Sequence, residues 1–227
     1  MNDHSQIPKQ RLRVTFSKGE PLKYISHLDV ARTWERAFRR AGLPLAHSQG
    51  FNPRPRYQLA AALPVGVTGR VELLDLWLTE PLASEEALLR LRRALPPGLD
   101  VTDAAEVDLS APALQAELCA ADYRAVVYSP EPVEAIRGRM QALLAAPSLP
   151  RRRQHKGDWQ TYDLRPLILS LAAEPAPNGE AILTMHLQSS PQGAGRPDEV
   201  LDTLGLSLAT RSMERIALHF VGHTPES

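Results

Sequence analysis

The spacing of apolar residues changes several times along the chain, and each change predicts an element. Over residues 10–17 (QRLRVTFS), Leu12, Val14 and Phe16 alternate with Arg11, Arg13 and Thr15, the period of a half-buried strand. After a connection over 18–25, Leu28, Ala31, Trp34, Phe38 and Ala41 recur at spacings of three and four, which predicts an amphipathic helix. Ser26 with Asp29 three residues on reads as a short capping box at its start, and Gly42 and Pro44 mark its end. A loop over 47–56 (HSQGFNPRPR) leads to strands over 57–63 and 71–78, separated by a turn at 64–69. Ser84 then opens a helix carrying Leu88, Leu89, Leu91 and Leu95, stopped by Pro96, Pro97 and Gly98, and a weaker strand covers 99–107.

That order, β-α-β-β-α-β, matches a ferredoxin-like unit, two helices packed on one face of an antiparallel sheet. The composition breaks over 108–118, and a second round follows: strand 122–128, helix 132–144, a basic loop at 151–156, an apolar stretch 166–172, strand 181–188, helix 197–204 and strand 213–220. The expected architecture is α+β, with two ferredoxin-like halves over 1–110 and 111–227. The halves share no visible sequence repeat, so the duplication rests on element order alone.

Composition narrows the setting. A 227-residue chain, 43% hydrophobic and 23% charged, suits a soluble globular protein. The single Cys119 leaves no internal disulfide and no cysteine-based metal cluster, so a cytoplasmic location is expected, and its apolar surroundings point to burial. No apolar run approaches the roughly 20 residues of a membrane span, so no membrane partner is expected. Net charge is zero but unevenly placed. Basic residues outnumber acidic ones twelve to four over 1–70 and seven to two over 135–165, and are outnumbered thirteen to four over 71–134 and seven to three over 166–227. Basic islands that met in space would form a face attractive to phosphates.

Candidate chemistry concentrates in the first island. His27 sits in the first helical turn, where the dipole favours a neutral imidazole, so it is a candidate general base. Capping already accounts for its neighbours Ser26 and Asp29. In the loop, Gly50 can take positive φ, Asn52 can start a turn, and Pro53 and Pro55 leave little freedom to lose on binding. Arg54 and Arg56 are then presented on a stiff support, with Phe51 able to stack on a base. Arg32 and Arg36, from a helix face shared with Arg39 and Arg40, would complete a phosphate clamp. The second island, Arg151, Arg152, Arg153, His155 and Lys156 followed by Trp159, can track a nucleic-acid backbone. Asp163 and Arg165 form either a cap or an acid and a base aimed into an interdomain groove. The seven histidines show neither HxH nor HExxH spacing, so neither a metal nor a cofactor is expected. GxGxxG, Walker and GxSxG motifs are absent.

SHLDVARTWERAFRRAGLPLAHSQGFNPRPR, continued by LAAALPVGVTGRVELLDLWL, resembles the bacterial radical-SAM-linked proteins, a domain of unknown function found beside or fused behind a radical SAM protein with a B12-binding-like region. The resemblance is specific over 24–78 and looser at YDLRPLILSL and RPDEVL. The family pattern falls on Ser26, His27, Asp29, Arg32, Arg39, Arg40, Pro44, Ser48, Gly50, Phe51, Asn52, Pro53, Pro55, Pro64, Gly66 and Glu72. Arg54 stands where the family often has His, which favours binding over catalysis in the loop. The resemblance implies a radical SAM partner and supplies no mechanism. The leading expectation is therefore an accessory module that binds RNA or a phosphorylated substrate. The rivals are a metal-independent endoribonuclease with His27 as general base, by analogy of fold, and a scaffold docking a basic partner through 71–134, Glu85 and Glu86 included.

Overall fold

Alternation along the first strand places its apolar side chains on one face of a sheet and its arginines on the other. The computed structural model describes residues 7–49, 51–155 and 158–222. The chain divides after Glu117 into two units; sequence reading set that division after residue 110. In the first unit β1 (Gln10–Lys18), α1 (His27–Ala41), β2 (Tyr57–Leu59), β3 (Thr68–Leu78), α2 (Ser84–Ala94) and β4 (Leu99–Val107) follow in order, with a short α3 (Leu114–Glu117) closing it. The strands lie in the order β4-β1-β3-β2, antiparallel throughout. Leu12, Val14, Phe16, Leu74, Leu76 and Leu78 are buried in one cluster with Val30, Trp34 and Phe38 of α1 and Ala87 and Leu91 of α2.

The helices are where expected, but their buried stripes are phased differently. On α1 the buried positions are Val30, Thr33, Trp34, Ala37 and Phe38, while Leu28 is 67% exposed. Val30, Thr33 and Ala37 take the sheet-facing positions in place of Leu28, Ala31 and Ala41, with Trp34 and Phe38 common to both stripes. On α2 Ala87, Leu91 and Ala94 are buried and Leu89 is exposed. Trp34 anchors the layer, edge-on to Phe16 at 5.0 Å and stacked on Phe38 at 5.4 Å. Ser26 caps α1 by accepting a bond from the Asp29 amide at 3.2 Å, and Gly42 closes it at φ 60°. On α2 the cap position is Ala83, one before Ser84, and no side chain bonds there.

The opposite face of this sheet carries a polar layer. Asp75, wholly buried, accepts from Arg11 Nε at 3.0 Å and Arg13 Nε at 2.9 Å. Arg11 also donates to the carbonyls of Ala111 at 2.5 Å and Pro112 at 2.8 Å. Trp77 lies between two guanidinium groups, Arg11 at 5.0 Å and Arg56 at 4.9 Å.

The second unit comprises β5 (Leu118–Tyr128), α4 (Val133–Ala145), β6 (Pro150–His155), β7 (Asp158–Asp163), β8 (Ile168–Ala176), β9 (Glu180–Ser190), β10 (Gly193–Ala194), α5 (Pro197–Thr203) and β11 (Thr210–Phe220). Its main strands lie in the order β11-β5-β9-β8, antiparallel, with β10 also on β9. Between α4 and β8, β6 and β7 form a separate hairpin. With β6, β7 and β10 set aside, the order of elements and of paired strands repeats that of the first unit. The expected basic loop at 151–156 is thus mostly strand, with Lys156 outside the described residues. β8 continues through Pro175, which an edge strand tolerates because its missing N–H leaves no partner unpaired. Among the described residues no helix is long and apolar enough to cross a membrane.

Candidate functional site

Arg36, Arg39 and Arg40 lie at i, i+3 and i+4 on α1, so one helix face carries all three. With Leu22, Thr33 and Pro96 they line an open cleft of about 480 Å³ in the first unit. Arg36 donates to the Thr33 hydroxyl at 3.3 Å. Among the described residues no carboxylate pairs with Arg39 or Arg40. Both also stand in the last turn of α1, where cations complement the helix dipole. Sequence reading put them on the basic face without naming them as contacts. Arg32, which it did name, points elsewhere and pairs with Asp29 at 3.2 Å, 70% exposed.

The loop after α1 is tied at its base. The Ser48 amide donates to the Arg54 carbonyl at 2.8 Å, the Arg54 amide to the Ser48 hydroxyl at 3.0 Å, and the Arg56 amide to the Ala46 carbonyl at 2.7 Å. Phe51 at the tip is fully exposed, Asn52 beside it is exposed, and Gly50 lies outside the described residues. Arg56 stacks on Trp77, on the face away from the helices. The Tyr57 hydroxyl reaches instead to the Ala31 carbonyl at 3.3 Å and Glu35 at 3.4 Å on α1. Burial, with the Glu35 carboxylate second, pushes the Tyr57 phenol up to about 12, and the positive charge of Arg54 pulls the other way. Arg54 and Arg56 are both exposed, and Arg56 stacks on Trp77.

In the second unit the hairpin sorts its arginines by strand alternation. Arg151 donates to the Thr203 hydroxyl of α5, and Arg153 stacks on Tyr162 at 5.2 Å. Tyr162 donates to Glu199 of α5, and burial first, then that carboxylate, raises its phenol pKa. Arg152 turns to the other side and lies 5.1 Å over Trp159, which is 62% exposed. Arg152 and Trp159 are exposed together, Arg151 ties the hairpin to α5, and Arg153, exposed as well, stacks within the hairpin.

His27 is exposed, close to Lys18 and Glu72, both almost fully buried. The neighbouring Asp29 carboxyl is held below the usual range by the Ser26 hydroxyl first, and by Arg32. Asp163 accepts from the amides of Leu149 at 2.7 Å and Arg165 at 3.0 Å, while Arg165 donates to the carbonyls of Leu144 and Ile168. These two residues cap a turn. The acidic stretch is not one surface: Glu72 and Asp75 are buried, and Glu86 is paired with Arg90. Cys119 is partly buried, its thiol donating to the His219 carbonyl at 3.3 Å.

Sequence reading missed Asp122, His186 and His219, which adjacent strands of the second unit bring together. His186 and His219 are 64 and 97 residues from Asp122, so no local spacing could have revealed them.

Fold and site together define a mixed α/β protein of mostly antiparallel sheet, with an arginine-lined cleft. Residues 11–197 match the model of DUF2344, described as an uncharacterized protein conserved in bacteria, and the chain belongs to that family. No curated protein matches it. Among solved structures it is similar to a chain of a Cbf5-Nop10-Gar1 complex, 11% identical, covering 95% of this chain and 50% of that one, with a TM-score of 0.48. A chain of the archaeal box H/ACA sRNP Nop10-Cbf5 complex is 9% identical, covering 92% and 48%, with a TM-score of 0.45. The chain thus spans about half the length of the solved chains it matches.

Proposed function

We propose that the protein is an RNA-binding accessory module whose arginine cleft takes backbone phosphates, and that it works beside a radical SAM enzyme. The observation that carries this is the cleft of Arg36, Arg39 and Arg40, none of which has a carboxylate partner among the described residues. A guanidinium is well matched to phosphate oxygens through its fork of donors. The exposed Phe51 and the Arg152–Trp159 pair supply the stacking surfaces a single strand needs. The radical SAM partner follows from the resemblance over residues 24–78. The shared strand order of the two units supports reading each as a ferredoxin-like half.

The test is fluorescence anisotropy with a labelled single-stranded RNA across a salt series. Binding should weaken steeply with salt, and R36A/R39A/R40A should reduce the slope of log K against log salt by about 2, since each single-strand phosphate contact contributes about 0.7. Absence of binding at low salt, or binding indifferent to salt, rejects the reading. His27→Ala addresses the endoribonuclease alternative: loss of RNA cleavage with binding intact would support it, and the accessory-module reading predicts no such loss.

A further inference from the structure

We propose that Asp122, His186 and His219 form a binding site for a borderline divalent transition metal, Zn²⁺ foremost. Asp122 on β5 is in direct register with His186 on β9, and His219 on β11 pairs with Ala120, two residues along β5 and hence on the same face. This face is opposite the buried Ala121, Tyr123, Leu183 and Met185. The Asp122 carboxylate spans both rings, Oδ1 lying 2.5 Å from His186 Nδ1 and Oδ2 2.7 Å from His219 Nε2. The imidazoles stand edge to face, 84° apart with centroids 5.0 Å apart, and all the donor atoms fall within 4.8 Å of one another.

Two imidazole nitrogens and one carboxylate suit Zn²⁺ and its neighbours in the first transition row, whereas Ca²⁺ and Mg²⁺ prefer sets made wholly of oxygen. Donors about 2.0–2.1 Å from a tetrahedral zinc stand roughly 3.3 Å from one another. The observed contacts are shorter, the spacing of a carboxylate sharing protons with both rings. Exchanging those protons for a cation asks each ring to carry its proton on the outer nitrogen, and asks the side chains to part by under about 1 Å. Paired strands hold the three Cα positions, so the site does not have to be assembled from a mobile loop. The side chains of His186, Asp122 and His219 are 33%, 23% and 23% exposed, so three protein ligands would leave a coordination position open to solvent. That is the pattern of a site that binds water or a substrate.

The full-length protein, stripped of metal, is titrated with Zn²⁺ against a chromophoric chelator and with Co²⁺ followed by its visible absorption. One equivalent is expected to bind. His186→Ala and His219→Ala should each weaken binding by more than the roughly 10- to 100-fold that loss of an outer-shell partner costs. His47→Ala, outside the cluster, should leave it unchanged. If the cluster variants do not fold, side-chain nitrogen resonances of the wild type decide, because Zn²⁺ must shift those of His186 and His219 selectively. Failure of the wild type to take up stoichiometric metal, uptake that survives the double His variant, or shifts at other histidines overturns the proposal and leaves a hydrogen-bonded clamp.

Discussion

Ser26 serves the start of α1 twice, accepting from the Asp29 amide and donating its hydroxyl to the Asp29 carboxylate at 2.7 Å. Ser26→Ala should cost about 1 kcal/mol in urea unfolding at pH 7. It should also raise the Asp29 titration midpoint toward the ordinary value of about 3.9. Because the folded-state pKa of Asp29 is lowered, its contribution to stability is present above its unfolded pKa and lost as pH falls through the folded one. The difference between wild type and variant should therefore narrow in acid, and one constant from pH 7 to pH 2 would show that Asp29 does not depend on the cap. Asp75 presents a larger effect. Asp75→Ala leaves Arg11, 1% exposed, as an uncompensated buried charge and should cost about 3–5 kcal/mol. Arg13, 22% exposed, can turn to water, so Arg13→Ala should cost clearly less. Equal losses in the two variants would mean that desolvation does not govern this triad.

Among elements, two glycines at positive φ separate backbone strain from crowding. At Gly42, φ 60°, a Cβ would meet nothing within 4 Å, so Gly42→Ala should cost only the left-handed penalty of about 1–2 kcal/mol. At Gly98, φ 95°, a Cβ would stand 2.9 Å from Leu22 Cγ and 3.0 Å from Pro21 Cβ, adding about 1–3 kcal/mol of overpacking. Thermal melts should rank Gly98→Ala below Gly42→Ala, and the reverse order would contradict the crowding at Leu22. The ends of α1 were legible in the sequence because Ser26, Asp29 and Gly42 act through bonds and dihedrals local to the chain. Its buried stripe was not, since Thr33 and Ala37 face the sheet only once β1 and β3 are in place. PRRRQH offers no alternation of apolar residues, so the sequence of β6 predicts a loop; its pairing with β7 and the ties from Arg151 and Tyr162 to α5 supply what the pattern lacks. The arginine face of α1 was visible from helical spacing, but the stacking of Arg56 on Trp77 needed the pairing of neighbouring strands, and the Asp122 cluster needed register across three strands.

For the whole molecule, zero net charge decides how an RNA would be held. Residues 1–117 carry fifteen basic and fourteen acidic side chains, and residues 118–227 eleven and twelve, so a net charge of one in either unit is too small to steer a polyanion from a distance. Affinity must come from contacts at short range, and these divide into guanidinium groups and exposed aromatics. Phe51→Ala and Trp159→Ala should each weaken RNA binding by about 1–3 kcal/mol with little change in salt slope, because stacking releases no counterions. The arginine variants should lower the slope itself. Guanidinium groups stay protonated throughout the accessible range, so the affinity should be flat from pH 6 to pH 9. An affinity falling as pH rises through about 6.5 would place an imidazole in the contact and return His27 or His47 to the binding surface.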